Sequence, residues 1–185
     1  MKHSIQVVMG FLAAIFAGTS APTVNGQVLK TKVHYFSGFL NDLQDGRVTK
    51  DGLKSEVGVR SISDNMIPNG IDFLVTGVRV LFDTTAGVQA AGIKTAGFAS
   101  TAPAAFKNGE VTLKQGADLL NLTGTTASNH KASTGVIDDT FDIVPVKLRG
   151  GVKFDLVFSL AGTAAADQAY KVELIGYELA SADRA

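Results

Sequence analysis

The stretch NMIPNGIDFLVTGVRVLF, residues 65–82, decides the fold. The residues Pro68, Asn69 and Gly70 form a turn signal that opens into an almost continuous apolar run. Period-two alternation divides the apolar side chains between two faces of a strand. One face holds Phe73, Val75 and Leu81, and the other holds Leu74, Val78, Val80 and Phe82. A strand that is apolar on both faces belongs in the middle of a sheet, with the core on one side and further protein, such as a partner subunit, on the other.

Period-two patterns separated by turn residues continue on both sides of this stretch. Further strands are predicted over residues 28–36, 53–62, 109–122 (one or two strands), 140–148, 152–160 and 170–179. Residues 83–108 are predicted to form a long connection with at most one short strand, and residues 123–135 a polar loop. No helix is predicted after residue 28. Roughly eight strands joined by short loops predict an all-β, antiparallel, eight-stranded jelly-roll β-sandwich.

Three features refine the strands near the C-terminus. Pro145 lies in mid-run and predicts an edge or bulged strand, because proline cannot donate to a ladder. Gly176 interrupts the last strand and predicts a bulge or a close backbone approach. Alternation predicts that the strand over 152–160 buries Val152, Phe154, Leu156 and Phe158.

The first 27 residues, MKHSIQVVMGFLAAIFAGTSAPTVNGQ, form an apolar segment for which two interpretations stay open. Lys2 and His3 before an apolar run over residues 5–17 resemble a secretory signal, although a cut after Ala21 would leave Pro22 first. The alternative is an uncleaved helix. One helical face would hold Ile5, Val8, Met9, Leu12 and Phe16, broadened by Val7, Phe11 and Ile15. The domain organisation predicted is therefore an arm or signal-like segment over 1–27 and a β-sandwich domain over 28–185.

Composition argues against most kinds of chemistry. Seventeen basic residues balance seventeen acidic ones without a basic cluster, so no specific nucleic-acid partner is predicted. The absence of cysteine excludes disulfides, thiolate metal sites and a cysteine nucleophile. Phosphate-binding glycine loops and the local motifs of hydrolases and zinc peptidases are missing. The sequence therefore predicts a protein that is not an enzyme, with no cofactor, no metal and no small-molecule substrate.

The polar residues that could carry chemistry have plainer interpretations. His3, His34 and His130 are scattered without metal-ligand spacing, and His34 is predicted to be a partly buried packing residue. The cluster Asp138, Asp139 and Asp142 could bind calcium or form an acid–base pair, but a solvated turn is the favoured interpretation. NDLQDG (residues 41–46) has a leucine where a calcium loop needs an oxygen ligand, so it is predicted to be a turn.

Two segments carry a resemblance. NMIPNGIDFLVTGVRVLFD resembles the strand entry of small structural proteins of tailless icosahedral bacteriophages. DIVPVKLRGGVKFDLVFSLAGTAAADQAYKVELIGYEL is similar to their closing pair of strands. The resemblance covers about a third of the chain and consists of strand and turn patterns. It implies a single jelly-roll capsid protein, a major or minor shell subunit located in the virion.

The partners that the resemblance implies are copies of this chain, other capsid proteins and, in phages that enclose one, an internal lipid membrane. Contacts with a neighbour or with lipid are expected from Val8, Phe11, Leu12, Ile15 and Phe16. The signal-like start supports an alternative of a different class, a β-sandwich subunit or adhesin that is secreted or held at the bacterial cell surface.

Overall fold

The computed structural model describes residues 23–24, 27–128 and 141–181. Within these ranges the chain is all-β, and its strands form two antiparallel sheets that pack as a sandwich. The strands are β1 (Thr23–Val24), β2 (Gln27–Phe39), β3 (Ile71–Asp83), β4 (Glu110–Gln115), β5 (Asp118–Thr123), β6 (Phe141–Leu148), β7 (Asp155–Ser159) and β8 (Ala169–Ser181). The larger sheet has the order β1-β2-β8-β3-β6, and the smaller has the order β5-β4-β7.

Short helices in the connections were not predicted. They are α1 (Val88–Ala91), α2 (Ala104–Lys107) and α3 (Gly124–Ser128), with 3-10 turns at Leu40–Asp42, Gln44–Gly46 and Ile93–Thr95. Each is about one turn long, too short to show helical periodicity in the sequence. The first two 3-10 turns confirm that residues 41–46 form a turn.

The strand pairings are nested along the chain. The long strands β2 and β8 pair over their whole lengths, β3 pairs with β6, and β4 pairs with the neighbouring β5. Residues 47–49 run beside β7: Arg47 bridges Val157, and the Val48 amide donates to the Leu156 carbonyl at 2.9 Å. Early segments thus pair with late ones, and the innermost pair is a hairpin.

Strand β3 contains a bulge that changes the face on which its residues lie. In the β3–β8 pairing, Val75 lies opposite Gly176 and Gly77 lies opposite Ile175, so Thr76 is an extra residue. One extra residue reverses the alternation. All five of the apolar residues Phe73, Val75, Val78, Val80 and Phe82 are therefore buried in the same core. The prediction that β3 is a central strand is confirmed, but the assignment of Val78, Val80 and Phe82 to the opposite face is wrong.

The core lies between the sheets and contains a chain of aromatic rings. Phe106 of α2 meets Phe82 at a centroid distance of 4.7 Å and Phe158 at 5.0 Å. Phe158 in turn meets Tyr170 at 5.1 Å, and all three contacts are edge-on. Edge-on pairs of this kind add to the stabilisation from burial.

The segment over residues 53–62 is not the strand that its alternation predicts. It forms an irregular loop with isolated bridges, from Glu56 to Arg60 and from Arg60 to Phe36. Gly58 has a φ of 83°, which breaks the extended conformation in mid-run. Val57 is consequently 88% exposed, whereas Val59 is buried.

The prediction for β7 is correct for three of its four inward residues. Phe154, Leu156 and Phe158 are buried in the core, as expected. Val152 is 46% exposed, because it lies in the turn before β7 begins and the strand alternation does not extend to it.

Candidate interaction surface

The outer face of the larger sheet carries an apolar stripe. Because His34 of β2 packs on core residue Phe73, alternation places the odd-numbered residues of β2 on the opposite face. The same rule applied to β3 and β8 identifies six apolar or aromatic side chains across three adjacent strands, with the exposed Thr31 between two of them. The apolar stripe consists of Leu29, Val33, Leu74, Ile175, Tyr177 and Leu179.

The stripe is not part of the core. Val33 is 39% exposed. Leu74, Ile175, Tyr177 and Leu179 are half-buried. Leu29 is 5% exposed, yet it stands outside the cluster of buried side chains that fills the space between the sheets. An antiparallel sheet with one face on the core ordinarily turns polar side chains outward, so this apolar outer face is unusual.

A buried ion-pair cluster bounds one end of the stripe. Glu173 of β8 is only 6% exposed and accepts a hydrogen bond from Nε of Arg79 at 2.8 Å. Lys171 Nζ lies 3.1 Å from the same carboxylate and 5.1 Å from the ring centroid of Tyr35. A carboxylate this buried requires paired charges, since removing it from water is costly.

Two loops lie over this charged end. The Gly58 amide donates to the Tyr35 hydroxyl at 3.1 Å, and Phe98 lies 6.0 Å from Lys171. An ion pair of 2.7 Å between Lys94 and Glu56 joins the two loops. The charged end is thus covered by the chain's own connections, and the apolar stripe begins where they stop.

An ion pair also borders the opposite end. Lys147 Nζ lies 2.7 Å from a carboxylate oxygen of Asp72, and the Gly150 amide donates to the other oxygen at 3.0 Å. Partial burial opposes ionisation here, but the bonds from Lys147 and Gly150 prevail and hold the pKa of Asp72 below its usual value. Charges at both ends and apolar side chains between them form a bounded apolar surface.

His34 is a core residue on the inner face of β2. It is 2% exposed, its ring meets Phe73 edge-on at 4.7 Å, and its Nδ1 lies 3.3 Å from the Ser61 hydroxyl. Its Nε2 lies 3.7 Å from a Glu178 oxygen. Burial, with Lys32 as a second cause, lowers the pKa of His34 to about 4. The expected packing role is confirmed, and the residue is more buried than predicted.

Acid is expected to destabilise the fold through His34. His34 binds a proton near the ordinary pKa of 6.5 in the unfolded chain, but only near 4 in the folded chain. The free energy of unfolding is therefore unaffected by His34 above pH 6.5 and falls as the pH drops from 6.5 to 4. The loss attributable to this group is about 3 kcal/mol. Urea unfolding of the wild type and of His34→Gln at pH 7, 5.5 and 4.5 measures it. An equally steep pH dependence in both proteins would refute this assignment.

A small polar cavity lies beside Phe36 and Ser37, near the C-terminal end of β2. It has a volume of about 20 Å³, and its lining includes Ser37, Arg60 and Asn65. The Ser37 hydroxyl and the Asn65 side-chain oxygen are buried there without a hydrogen-bond partner. A space of this size with two such groups suits a single water molecule.

The expected contact residues Val8, Phe11, Leu12, Ile15 and Phe16 lie outside the described residues, as do His3, His130, Asp138 and Asp139. Among the residues that the structure describes, no three His, Asp or Glu side chains are grouped so that they could hold a metal ion. The same part of the chain contains no helix that is long and apolar enough to cross a membrane.

Sequence reasoning missed the apolar stripe, although a signal for it exists. On β8 the outward positions change from charged to apolar after Glu173: Lys171 and Glu173 are followed by Ile175, Tyr177 and Leu179. On β2 the odd positions Leu29 and Val33 are apolar, with Thr31 between them. Only the register, which sets Leu29 opposite Leu179 and Val33 opposite Ile175, shows that the apolar positions of the two strands lie side by side.

Comparison with protein-family models, with curated proteins and with solved structures finds no match for this chain. Its function is therefore argued from the geometry and the sequence.

Proposed function

We propose that this chain is a single jelly-roll subunit that assembles into a closed protein shell, as a major or minor capsid protein of a tailless icosahedral bacteriophage. The observation that supports the jelly-roll part of the proposal is the nested strand pairing. In a jelly roll, eight strands fold as two Greek keys in two sheets. A nested order, in which early strands pair with late ones, is what rolling one long hairpin into a sandwich produces.

If residues 47–49 are counted as a short strand, the smaller sheet has four strands, and the larger sheet has four strands apart from β1. The larger sheet then has the order β2-β8-β3-β6, and the smaller has β5-β4-β7 followed by residues 47–49. The smaller sheet includes a very short member because Gly46, with a φ of 71°, and Gly52, with a φ of 75°, turn the chain on either side of it. This arrangement supports the eight-stranded jelly roll that the sequence predicts.

A fold alone does not give a function, so the choice of a shell subunit depends on the surface. The apolar stripe and the apolar N-terminal segment both require cover, as do Val144 and Leu119, which are 84% and 61% exposed. Val144 lies on the edge strand β6 and Leu119 on the edge strand β5. Apolar side chains at sheet edges and on a sheet face suit repeated contacts between copies, since closed assemblies bury such patches.

Electron microscopy tests the proposal directly. The full-length protein, purified and concentrated at neutral pH, is expected to form closed shells of uniform diameter in negative stain. Intact mass measured on the same sample distinguishes the alternative function: a chain that begins near Ala21 or Gln27 indicates a secreted subunit. Dispersed monomers at all concentrations and ionic strengths would contradict the shell proposal.

Deletion of residues 1–20 is expected to leave the β domain folded and to impair assembly. Among the described residues the hydrophobic core cluster begins at Phe36, so the contacts described within it do not involve the deleted segment. The apolar residues of that segment, Val8, Phe11, Leu12, Ile15 and Phe16, are proposed to contact neighbours or lipid. Circular dichroism and thermal unfolding report the fold, and light scattering with microscopy reports assembly. Normal particles from the truncated protein would contradict the proposed role of the segment.

A further inference from the structure

We propose that Asn69 is a site of spontaneous deamidation, at which the folded chain converts an amide side chain into a carboxylate with water as the only co-reactant. Asn69 precedes Gly70 in the exposed turn that opens β3. The sequence has three asparagine–glycine pairs, and two of them, Asn69-Gly70 and Asn108-Gly109, lie in the described residues. The modification goes beyond the assembly role, since it depends on one turn and not on contacts between copies.

The chemistry is that of an asparagine directly before a glycine. The backbone nitrogen of Gly70 attacks Cγ of Asn69, and a new N–Cγ bond forms. The Gly70 amide proton passes through solvent to Nδ2, and the Cγ–Nδ2 bond breaks as ammonia leaves. Water then opens the five-membered imide: addition at Cγ gives aspartate, and addition at the main-chain carbonyl carbon gives isoaspartate. Glycine favours ring closure because it has no side chain to obstruct the attack.

The turn leaves both reacting groups free. It is closed by a hydrogen bond from the Ile71 amide to the Pro68 carbonyl at 3.2 Å. Gly70 is its third residue and has a φ of 83°, which makes the turn type II. Among the described residues, neither the Gly70 amide nor the Asn69 side chain has a hydrogen-bond partner. Both residues are exposed, so the nucleophile and the leaving group are in contact with water.

The reactive geometry is reached by a local motion. Ring closure requires rotation about the Asn69 Cα–C bond, which turns the peptide between Asn69 and Gly70. This is the central peptide of the turn, and rotating it converts a type II turn into type I. Gly70 then moves from a positive to a negative φ, and glycine adopts both readily. The β3 ladder begins only at Ile71, so no strand pairing has to break.

Asn108 and Gly109 form the same dipeptide but are held rigidly. The Gly109 amide donates to the Phe106 carbonyl at 3.0 Å, and the Gly109 carbonyl accepts from the Gly124 amide at 2.8 Å. Gly109 is also buried, and a Cβ built on it would overlap the carbonyl oxygen of Ser159. The attacking nitrogen is thus already bonded, and its peptide cannot turn without losing buried hydrogen bonds. The chain therefore contains a matched control for its own reactive site.

The product would alter the end of the larger sheet that holds the ion pair between Asp72 and Lys147. The turn packs there against two glycines: a Cβ built on Gly151 lies 3.2 Å from the Asn69 side-chain oxygen, and the Gly150 amide donates to Asp72. Each event raises the acidic residues from seventeen to eighteen against seventeen basic ones, which gives the neutral chain a charge of minus one. An isoaspartate also inserts its Cβ into the main chain of the turn.

The test follows both asparagines in one sample of the full-length wild-type protein, held folded at 37 °C and mildly alkaline pH. Portions taken over several weeks are digested with trypsin, and an unheated portion corrects for reaction during digestion. Peptides 61–79 and 108–114 carry Asn69 and Asn108 separately. Mass spectrometry detects the replacement of NH2 by OH, and fragmentation distinguishes Asn69 from Asn65. Aspartate and isoaspartate products are expected as two chromatographic peaks of equal mass.

We expect Asn69 to deamidate at least about tenfold faster than Asn108, a ratio that corresponds to about 1.4 kcal/mol and to the loss of one buried hydrogen bond. In concentrated urea, where neither turn exists, the two rates should converge. Asn69→Gln should abolish the change in peptide 61–79, because glutamine would have to close a larger ring, and should leave peptide 108–114 as it was. Equal rates in the folded protein, no conversion at Asn69, or a tenfold difference that persists in urea would each overturn the proposal.

Discussion

Gly176→Ala is expected to lower the free energy of unfolding by about 3 kcal/mol or more, the range of severe overpacking. Gly176 lies in β8, which is hydrogen-bonded on both sides, to β2 and to β3. A Cβ at this position would overlap the carbonyl oxygen of Leu74 and lie 2.9 Å from its carbonyl carbon and 3.1 Å from Cα of Val75. The obstacle is backbone, which cannot rotate away as a side chain can. Relief would require β3 and β8 to separate at the bulge.

The bulge explains why the contact is so close. Thr76, the extra residue, donates from its hydroxyl to the Ile175 carbonyl at 3.4 Å, and Gly176 is paired with Val75 immediately beside it. Equilibrium denaturation with urea, followed by circular dichroism, measures the loss. Gly162→Ala is the matched control: Gly162 is exposed, and no atom lies within 4 Å of a Cβ built there, so its stability should change by less than about 0.5 kcal/mol. Equal stabilities for the two variants would refute the close-approach argument.

The course of β3 illustrates how far the sequence predicts this fold. Its turn, its length and its central place were all predictable from the Pro-Asn-Gly signal and the apolar run. The face of its second half was not predicted, because a single inserted residue at Thr76 reverses the alternation. Gly77, directly after Thr76, is an interior strand glycine of the kind that marks a bulge, and the alternation analysis did not use it. Gly176, on the facing strand, was a usable signal, and the prediction of a close backbone approach there is confirmed by the contact with Leu74.

The predicted strand over residues 53–62 failed for a related reason. The alternation of Leu53, Val57 and Val59 is a local pattern. A strand also needs a neighbouring strand with a free edge to which it can hydrogen-bond. In the structure Val59 and Ser61 exchange backbone hydrogen bonds with Ser37 and Tyr35 at the edge of β2, and Gly58 turns the chain before a longer ladder can form. Tertiary context overrides local propensity in such segments.

The full extent of the apolar stripe was not predictable, for another physical reason. It exists only as a set of cross-strand neighbours, in which Leu29 meets Leu179 and Leu74 meets Tyr177. Residues more than 100 positions apart in the sequence share it, and register is a property of the folded sheet. The helical spacing of apolar residues over 5–16, in contrast, can be read from the sequence alone, because it is a local pattern.

Phe158→Ala is expected to cost about 3–5 kcal/mol of unfolding free energy, because it removes a large side chain from a filled core. Phe158 is 1% exposed and stands between Phe106 and Tyr170, with centroid distances of 5.0 and 5.1 Å. Its loss would break the aromatic chain where the smaller sheet meets α2 and β8. The Tyr170 hydroxyl lies against Gly38, where a built Cβ would be only 2.9 Å from it.

The matched control for this variant is Phe39→Ala. Phe39 ends β2, is half-exposed and does not belong to the core cluster, so its truncation should cost less than about 1.5 kcal/mol. The two losses can be compared directly from the denaturant midpoints when both variants show the same dependence of unfolding free energy on denaturant concentration. A Phe158 variant no less stable than the Phe39 variant would mean that the two sheets are not held together through this aromatic chain. The sandwich would then need another source of rigidity.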